Sequence, residues 1–162
     1  MKSVKELESA GCDFLVLPCN TLHGLISDIR KNTSLPVLDL IEEASNCIKS
    51  EYRSIGILST RKTRIERLYD KNLTNLKLVY PSEKEQSEIS KIIIRIIRNK
   101  SRSGDRGFLE AVIKKMINGG AEKVVLACTD LANLLDNNPN TIDSTDILIK
   151  MTLKKMKEAS MP

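Results

Sequence analysis

The chain has 162 residues, 41% hydrophobic and 29% charged, the balance of a folded globular protein and not of a disordered one. Aromatic residues make up only 3%, with no tryptophan, which argues against a stacking platform for single-stranded nucleic acid; a net charge of +5 requires no polyanionic partner. No apolar run reaches the ~18 residues that span a bilayer, and residues 1–8 lack the apolar centre of a signal peptide. No nucleic-acid or membrane partner is therefore expected, and the cytoplasm is the expected location.

In chain order, residues 4–10 read as a helix closed by Gly11. Phe14-Leu15-Val16-Leu17 is a short apolar run between turn residues, the pattern of a strand buried on both faces. Residues 21–31 carry Leu22, Leu25, Ile26 and Ile29 at helical spacing. Val37-Leu38 follows Pro36 as a strand, and residues 42–50 are helical. A third strand covers 54–58, a helix 63–73 and a fourth strand 76–80. Helices follow at 87–100 and 107–118, joined by a basic, flexible connection over 100–107. Val124-Val125-Leu126 is a fifth strand, and 131–135 begins a further helix. A turn cluster at 137–140 precedes a closing amphipathic helix over 145–159. Strands alternating with helices predict an α/β fold with parallel sheet.

Two segments repeat one another. Gly11-Cys12-Asp13-Phe14-Leu15-Val16-Leu17-Pro18-Cys19-Asn20-Thr21 is matched by Gly120-Ala121-Glu122-Lys123-Val124-Val125-Leu126-Ala127-Cys128-Thr129. Each places a cysteine eight residues after a glycine, beyond a buried strand and before a helix. Each half then reaches an aspartate, Asp39 after Val37-Leu38 and Asp143 after Thr141-Ile142. Ligands of open parallel sheets sit beyond the carboxyl ends of the strands. A helix N-terminus there offers free N–H groups that favour thiolate and bind carboxylates. Cys19 and Cys128 are thus candidate acid/base thiols facing one ligand, whereas Cys12 and Cys47 read as packing residues. Two buried small residues in duplicated strands are the plainer alternative. A zinc site from Cys19, His23 and Cys128 is another, weakened by the absence of a close Cys-x2-Cys pair.

Pro18-Cys19-Asn20-Thr21-Leu22-His23 resembles the first active-site motif of the aspartate/glutamate racemase superfamily, and Ala127-Cys128-Thr129-Asp130-Leu131 resembles its second. His23 after Asn-Thr, and Asp130 where glutamate racemases usually have histidine, resemble the aspartate branch. The resemblance implies racemisation of an acidic amino acid, aspartate before glutamate, without pyridoxal phosphate, metal or other cofactor. One cysteine removes the α-proton and the other returns a proton to the opposite face. It implies Asn20, Thr21 and Thr129 on the substrate carboxylate, with Ser59, Thr60 and Thr63 lining the pocket. Arg98 lies nearest to a lysine expected before the second cysteine. It implies two pseudo-symmetric lobes with parallel sheets flanked by helices, the first (1–50 with 139–162) lacking an N-terminal strand and helix, the second covering 51–138. A homodimer is also expected. A non-catalytic relative that binds a small carboxylate or another polypeptide is the alternative.

Overall fold

The computed structural model describes residues 2–159. Among these, six short strands form two parallel sheets. β1 (Leu15–Val16) pairs with β2 (Val37–Leu38), Leu15 opposite Val37. The larger sheet has the order β4–β3–β5–β6, from β3 (Ser54–Ser59), β4 (Lys77–Val79), β5 (Lys123–Ala127) and β6 (Thr141–Asp143). The helices are α1 (Lys2–Ser9), α2 (Ile26–Lys31), α3 (Leu40–Glu51), α4 (Arg61–Ile65), α5 (Glu83–Ile97), α6 (Ser103–Asn118), α7 (Thr129–Ala132) and α8 (Ser144–Ala159). The expected α/β architecture, parallel sheets flanked by helices, is the one found.

β3 is the centre of the larger sheet and is buried along its whole length, because β4 and β5 cover its edges and helices cover both faces. Period-two alternation divides its side chains. Ile55 and Ile57 join Val125 and Ala127 of β5 against Ile41, Ala44 and Ile48 of α3. Leu58 joins Val124 and Leu126 against Ile89, Ile92, Leu109 and Ile113 of α5 and α6. Gly56 lets α6 lie close: a Cβ there would stand 2.8 Å from both Met116 Cε and Val124 Cγ2.

The sequence repeat is a repeat of structure. β1, Cys19, a helical segment, β2, Asp39 and α3 recur as β5, Cys128, α7, β6, Asp143 and α8. Asp39 accepts from the N–H groups of Ile41 and Glu42 at 3.0 Å each, and Asp143 accepts from Thr145 N–H at 2.7 Å. These are equivalent side-chain caps that satisfy otherwise unpaired helix donors. α3 and α8 pack on each other. β6 completes the larger sheet, and α8 covers α3.

Several local expectations are corrected. The 63–73 helix stops after Ile65, where the chain turns and Arg67 takes φ 53°. α5 starts at Glu83 because Ser82 and Glu85 form a reciprocal capping box. The basic 100–107 stretch is largely the first turn of α6, not a flexible connection. Asp105, buried there, accepts from Arg95 at 2.6 and 3.0 Å and from Arg102 N–H at 3.0 Å. The hydrogen bonds from Arg95 hold its carboxyl below the usual carboxylate range. Leu22 and Leu25 are exposed, because their segment opens as a 3-10 turn, Thr21–Leu25, that buries His23 instead. Cys47 is exposed on α3, not packed in a core.

Candidate active site

Cys19 lies just beyond β1, where its N–H bonds back to Leu17 O at 2.8 Å and turns the chain out of the strand direction. The side chain is half-buried. The 3-10 turn that follows is fixed by His23. Its Nδ1 lies 2.8 Å from Cys19 O, which can only accept, so Nδ1 carries the proton. Its Nε2 lies 3.0 Å from Leu40 N–H and accepts. The imidazole is therefore neutral and clamps the Cys19 turn to the first residue of α3. With both ring nitrogens committed, His23 is not free to ligate a metal, which removes the central ligand of the zinc alternative.

Burial lowers the His23 pKa from 6.5, against the opposing effect of the Cys19 carbonyl and of Asp39 at 3.8 Å. Between that depressed native value and 6.5 the unfolded chain binds more protons than the folded one, so stability rises with pH. We expect unfolding free energy to be level above about pH 7 and to fall as pH drops through 6.5 toward the native value. His23 is the single histidine of the chain, so the His23→Gln variant should lose this slope between pH 7.5 and 5.5 in urea titrations. An unchanged slope in the variant would assign the effect elsewhere.

Three hydroxyls converge next to the Cys19 turn. Thr21 Oγ1 is 2.8 Å from Thr60 Oγ1 and 3.1 Å from Thr63 Oγ1, and the last two are 3.0 Å apart. Thr60 caps α4 by accepting from Thr63 N–H. Ser59 is fully buried, and its hydroxyl donates to Thr60 O at 3.1 Å. Ser59 therefore supports the loop from within the core. It pairs across the sheet with Ala127, the residue before Cys128.

Cys128 is the N-cap residue of α7 and is buried. Its Sγ donates to Asp130 Oδ2 at 3.6 Å. Burial pushes the thiol pKa up to about 12, with the backbone N–H groups of Asp130 and Leu131 opposing. The expectation that a helix N-terminus would favour thiolate is thus overturned at Cys128. α7 has only four residues, and desolvation of the charged sulfur outweighs its few free donors. Cys128 therefore keeps its proton at neutral pH.

A chain of buried hydrogen bonds joins the two cysteine segments. Tyr69 Oη donates to Asn20 Oδ1 at 2.6 Å, Asn20 Nδ2 donates to Ser144 Oγ at 3.0 Å, and Ser144 Oγ donates to Leu126 O at 2.7 Å. Asn20 adjoins Cys19, and Leu126 is two residues before Cys128. Both ends of the Asn20 amide are thus paired within the protein, and the side chain is buried. Thr129, half-buried, opens α7 beside Cys128. Arg98 is not brought into this constellation. It is the exposed C-cap residue of α5, where its backbone N–H donates to Ile94 O at 3.1 Å, and its guanidinium makes no hydrogen bond or ion pair among the described residues. Tyr69 was not singled out in the sequence; its partner Asn20 is 49 residues away and no local pattern marks it.

The chain has relatives. The sequence model of the family described as Asp/Glu/hydantoin racemase matches residues 1–152. The broad-specificity amino-acid racemase RacX of Bacillus subtilis (strain 168) is 29% identical over 152 residues, covering 91% of this chain. The chain spans 66% of that relative's length. An aspartate racemase from Picrophilus torridus superposes with a TM-score of 0.82 at 25% identity, covering 95% of this chain and 66% of that one. An aspartate racemase homologue from Pyrococcus horikoshii OT3 superposes with a TM-score of 0.79 at 23% identity, covering 96% and 72% respectively, and shares the fold.

Proposed function

The chain belongs to the Asp/Glu/hydantoin racemase family, and from that membership we propose that it inverts the α-carbon of a small amino acid, with Cys19 and Cys128 as the two acid/base groups. The observation that carries this reading is the duplicated placement of a cysteine beyond β1 and beyond β5, tied together through Asn20, Ser144 and Leu126. In one direction Cys19, as thiolate, takes the α-proton. The electron pair is held on the α-carbon and its carboxylate, and Cys128 S–H protonates the opposite face. Cys19 leaves as thiol and Cys128 as thiolate, and exchange with solvent resets both. The buried setting that keeps Cys128 protonated suits the donor role. Asp130 beside it opposes a lasting negative charge on that sulfur.

The α-carboxylate has a suitable partner in the Thr21, Thr60 and Thr63 hydroxyls. In a closed ring each hydroxyl spends its one hydrogen on a neighbour. An anion placed over the ring would redirect those hydrogens to itself, so the stabilisation grows with the negative charge that develops on the carboxylate. Thr129 would contribute from the second cysteine segment. Ser59 and Asn20 act as supports in this scheme, their polar atoms being engaged within the protein. Aspartate is the first substrate proposed, by likeness to the Picrophilus torridus aspartate racemase, and glutamate the second. The broad specificity named for RacX calls for a panel that includes neutral amino acids.

The test is loss of α-deuterium from both enantiomers of aspartate, glutamate and alanine in ordinary water, followed with chiral separation. Loss with inversion, from either enantiomer of one substrate, is the expected result. No exchange from any of them by a chain with a folded circular dichroism spectrum would overturn the proposal in favour of a non-catalytic carboxylate-binding or polypeptide-binding role.

A further inference from the structure

The buried hydrogen-bond chain has a fixed direction, and every member of it is essentially inaccessible to solvent: Tyr69 is 1% exposed, Asn20 1% and Ser144 0%. Leu126 O can only accept, so Ser144 Oγ must spend its single hydrogen there. Ser144 Oγ can then only accept from Asn20, which forces Nδ2 to that side and Oδ1 to the other. Asn20 Oδ1 requires a donor, and Tyr69 Oη supplies it. Burial raises the Tyr69 pKa, so the phenol keeps its proton. One hydroxyl therefore fixes the amide orientation next to Cys19, relative to the end of the strand that carries Cys128. The repeat gives the bond a particular meaning. Ser144 follows Asp143 as Leu40 follows Asp39, but Leu40 is apolar and bonds only through its backbone, to His23. The side-chain bridge between repeats thus exists on one side only, and it is aimed at the Cys19 turn.

We propose that Tyr69 is a positioning residue that acts through Asn20 and Ser144 to set the placement of the Cys19 thiol against the Cys128 thiol. The proposal rests on the two-thiol reading above. It deepens that reading by naming what holds the two groups on opposite faces of one carbon. Inversion needs both thiols in register, whereas α-proton exchange with retention needs only one. Loss of register therefore separates the two rates, while loss of folded protein lowers both in proportion.

The test compares the full chain with Tyr69→Phe, which removes only the hydroxyl, Ser144→Ala, and the double variant. Inversion by Tyr69→Phe is expected to fall about tenfold through kcat with KM little changed. The ratio of exchange with retention to inversion is expected to rise. The double variant should be no worse than the poorer single one, as members of a single chain require. A second readout needs no turnover: the rate of iodoacetamide labelling at Cys19, against exposed Cys47 in the same molecules, is expected to change severalfold in each variant. Labelling that shifts while the unaltered chain inverts nothing would sink the racemase reading and leave the brace standing. Inversion by the unaltered chain, with neither the exchange ratio nor the Cys19 labelling altered in Tyr69→Phe and Ser144→Ala, would overturn the brace.

Discussion

Cys19→Ser and Cys128→Ser should each lower racemisation by about 10²–10⁴-fold, the range that a positioned acid/base group supplies, while Cys47→Ser leaves it unchanged. Serine keeps the shape of the side chain and a proton. Its hydroxyl is far weaker as an acid than a thiol, so it can neither form the base at neutral pH nor deliver a proton at the same rate. Neither variant should disturb the fold. Cys128 sits buried against Asp130 Oδ2 at 3.6 Å, so a hydroxyl there can still donate to that carboxylate and the fold is preserved. Cys19 lies in a half-buried turn that His23 and Leu17 hold through hydrogen bonds to its backbone, which serine would keep. Cys47 is exposed on α3, outside both cysteine segments. Chiral separation of products, with a thermal melt to confirm folding, checks all three. Equal activity in the three variants would end the two-thiol mechanism.

The largest effect on stability is expected at β3. Ile57 is 1% exposed, pairs with Val125 of β5 and packs beneath α3. Ile57→Ala should cost about 2–5 kcal/mol, through lost transfer energy and the cavity left behind. The cavity would open on the α3 face of the sheet, among the buried Ile41, Ala44, Ile48, Val125 and Ala127. Ile65→Ala, at a position 67% exposed, should stay within about 0.5 kcal/mol. Urea titration of the two variants makes the comparison. Equal losses would mean that β3 is not the stabilising centre of the fold.

What could be read from the sequence follows the range of the forces involved. β3 and β5 were legible as apolar runs because a doubly covered strand has to be apolar throughout. The glycine-strand-cysteine repeat was legible because both copies obey the same local geometry, which puts Cys19 and Cys128 at equivalent places in the fold. β6 was not read as a strand, since Thr141-Ile142-Asp143 offers one apolar residue and gains its place only by pairing with β5. The start of α5 was written in Ser82 and Glu85, a local signal that the apolar spacing, beginning later, obscured. Arg98 was aligned with a functional position by spacing alone; the charge in its region that is engaged in the interior is Arg95, which holds Asp105. The state of Cys128 turned on burial, which depends on the packing of α7 and lies beyond any window of neighbouring residues. Tyr69 had no signature for the same reason.

The separation of Asn20 from Ser144 by 124 residues also has a consequence in time. A ribosome adds residues at about 5–20 per second, so Asn20 leaves it on the order of ten seconds before the serine that will hold it. Through that interval the nascent β1–α3 segment has neither α8 to cover it nor the bridge to fix its amide. The bond that orients the Asn20 amide can form only after Ser144 has been synthesised, so the Cys19 and Cys128 segments are joined through it only when the fold is nearly closed.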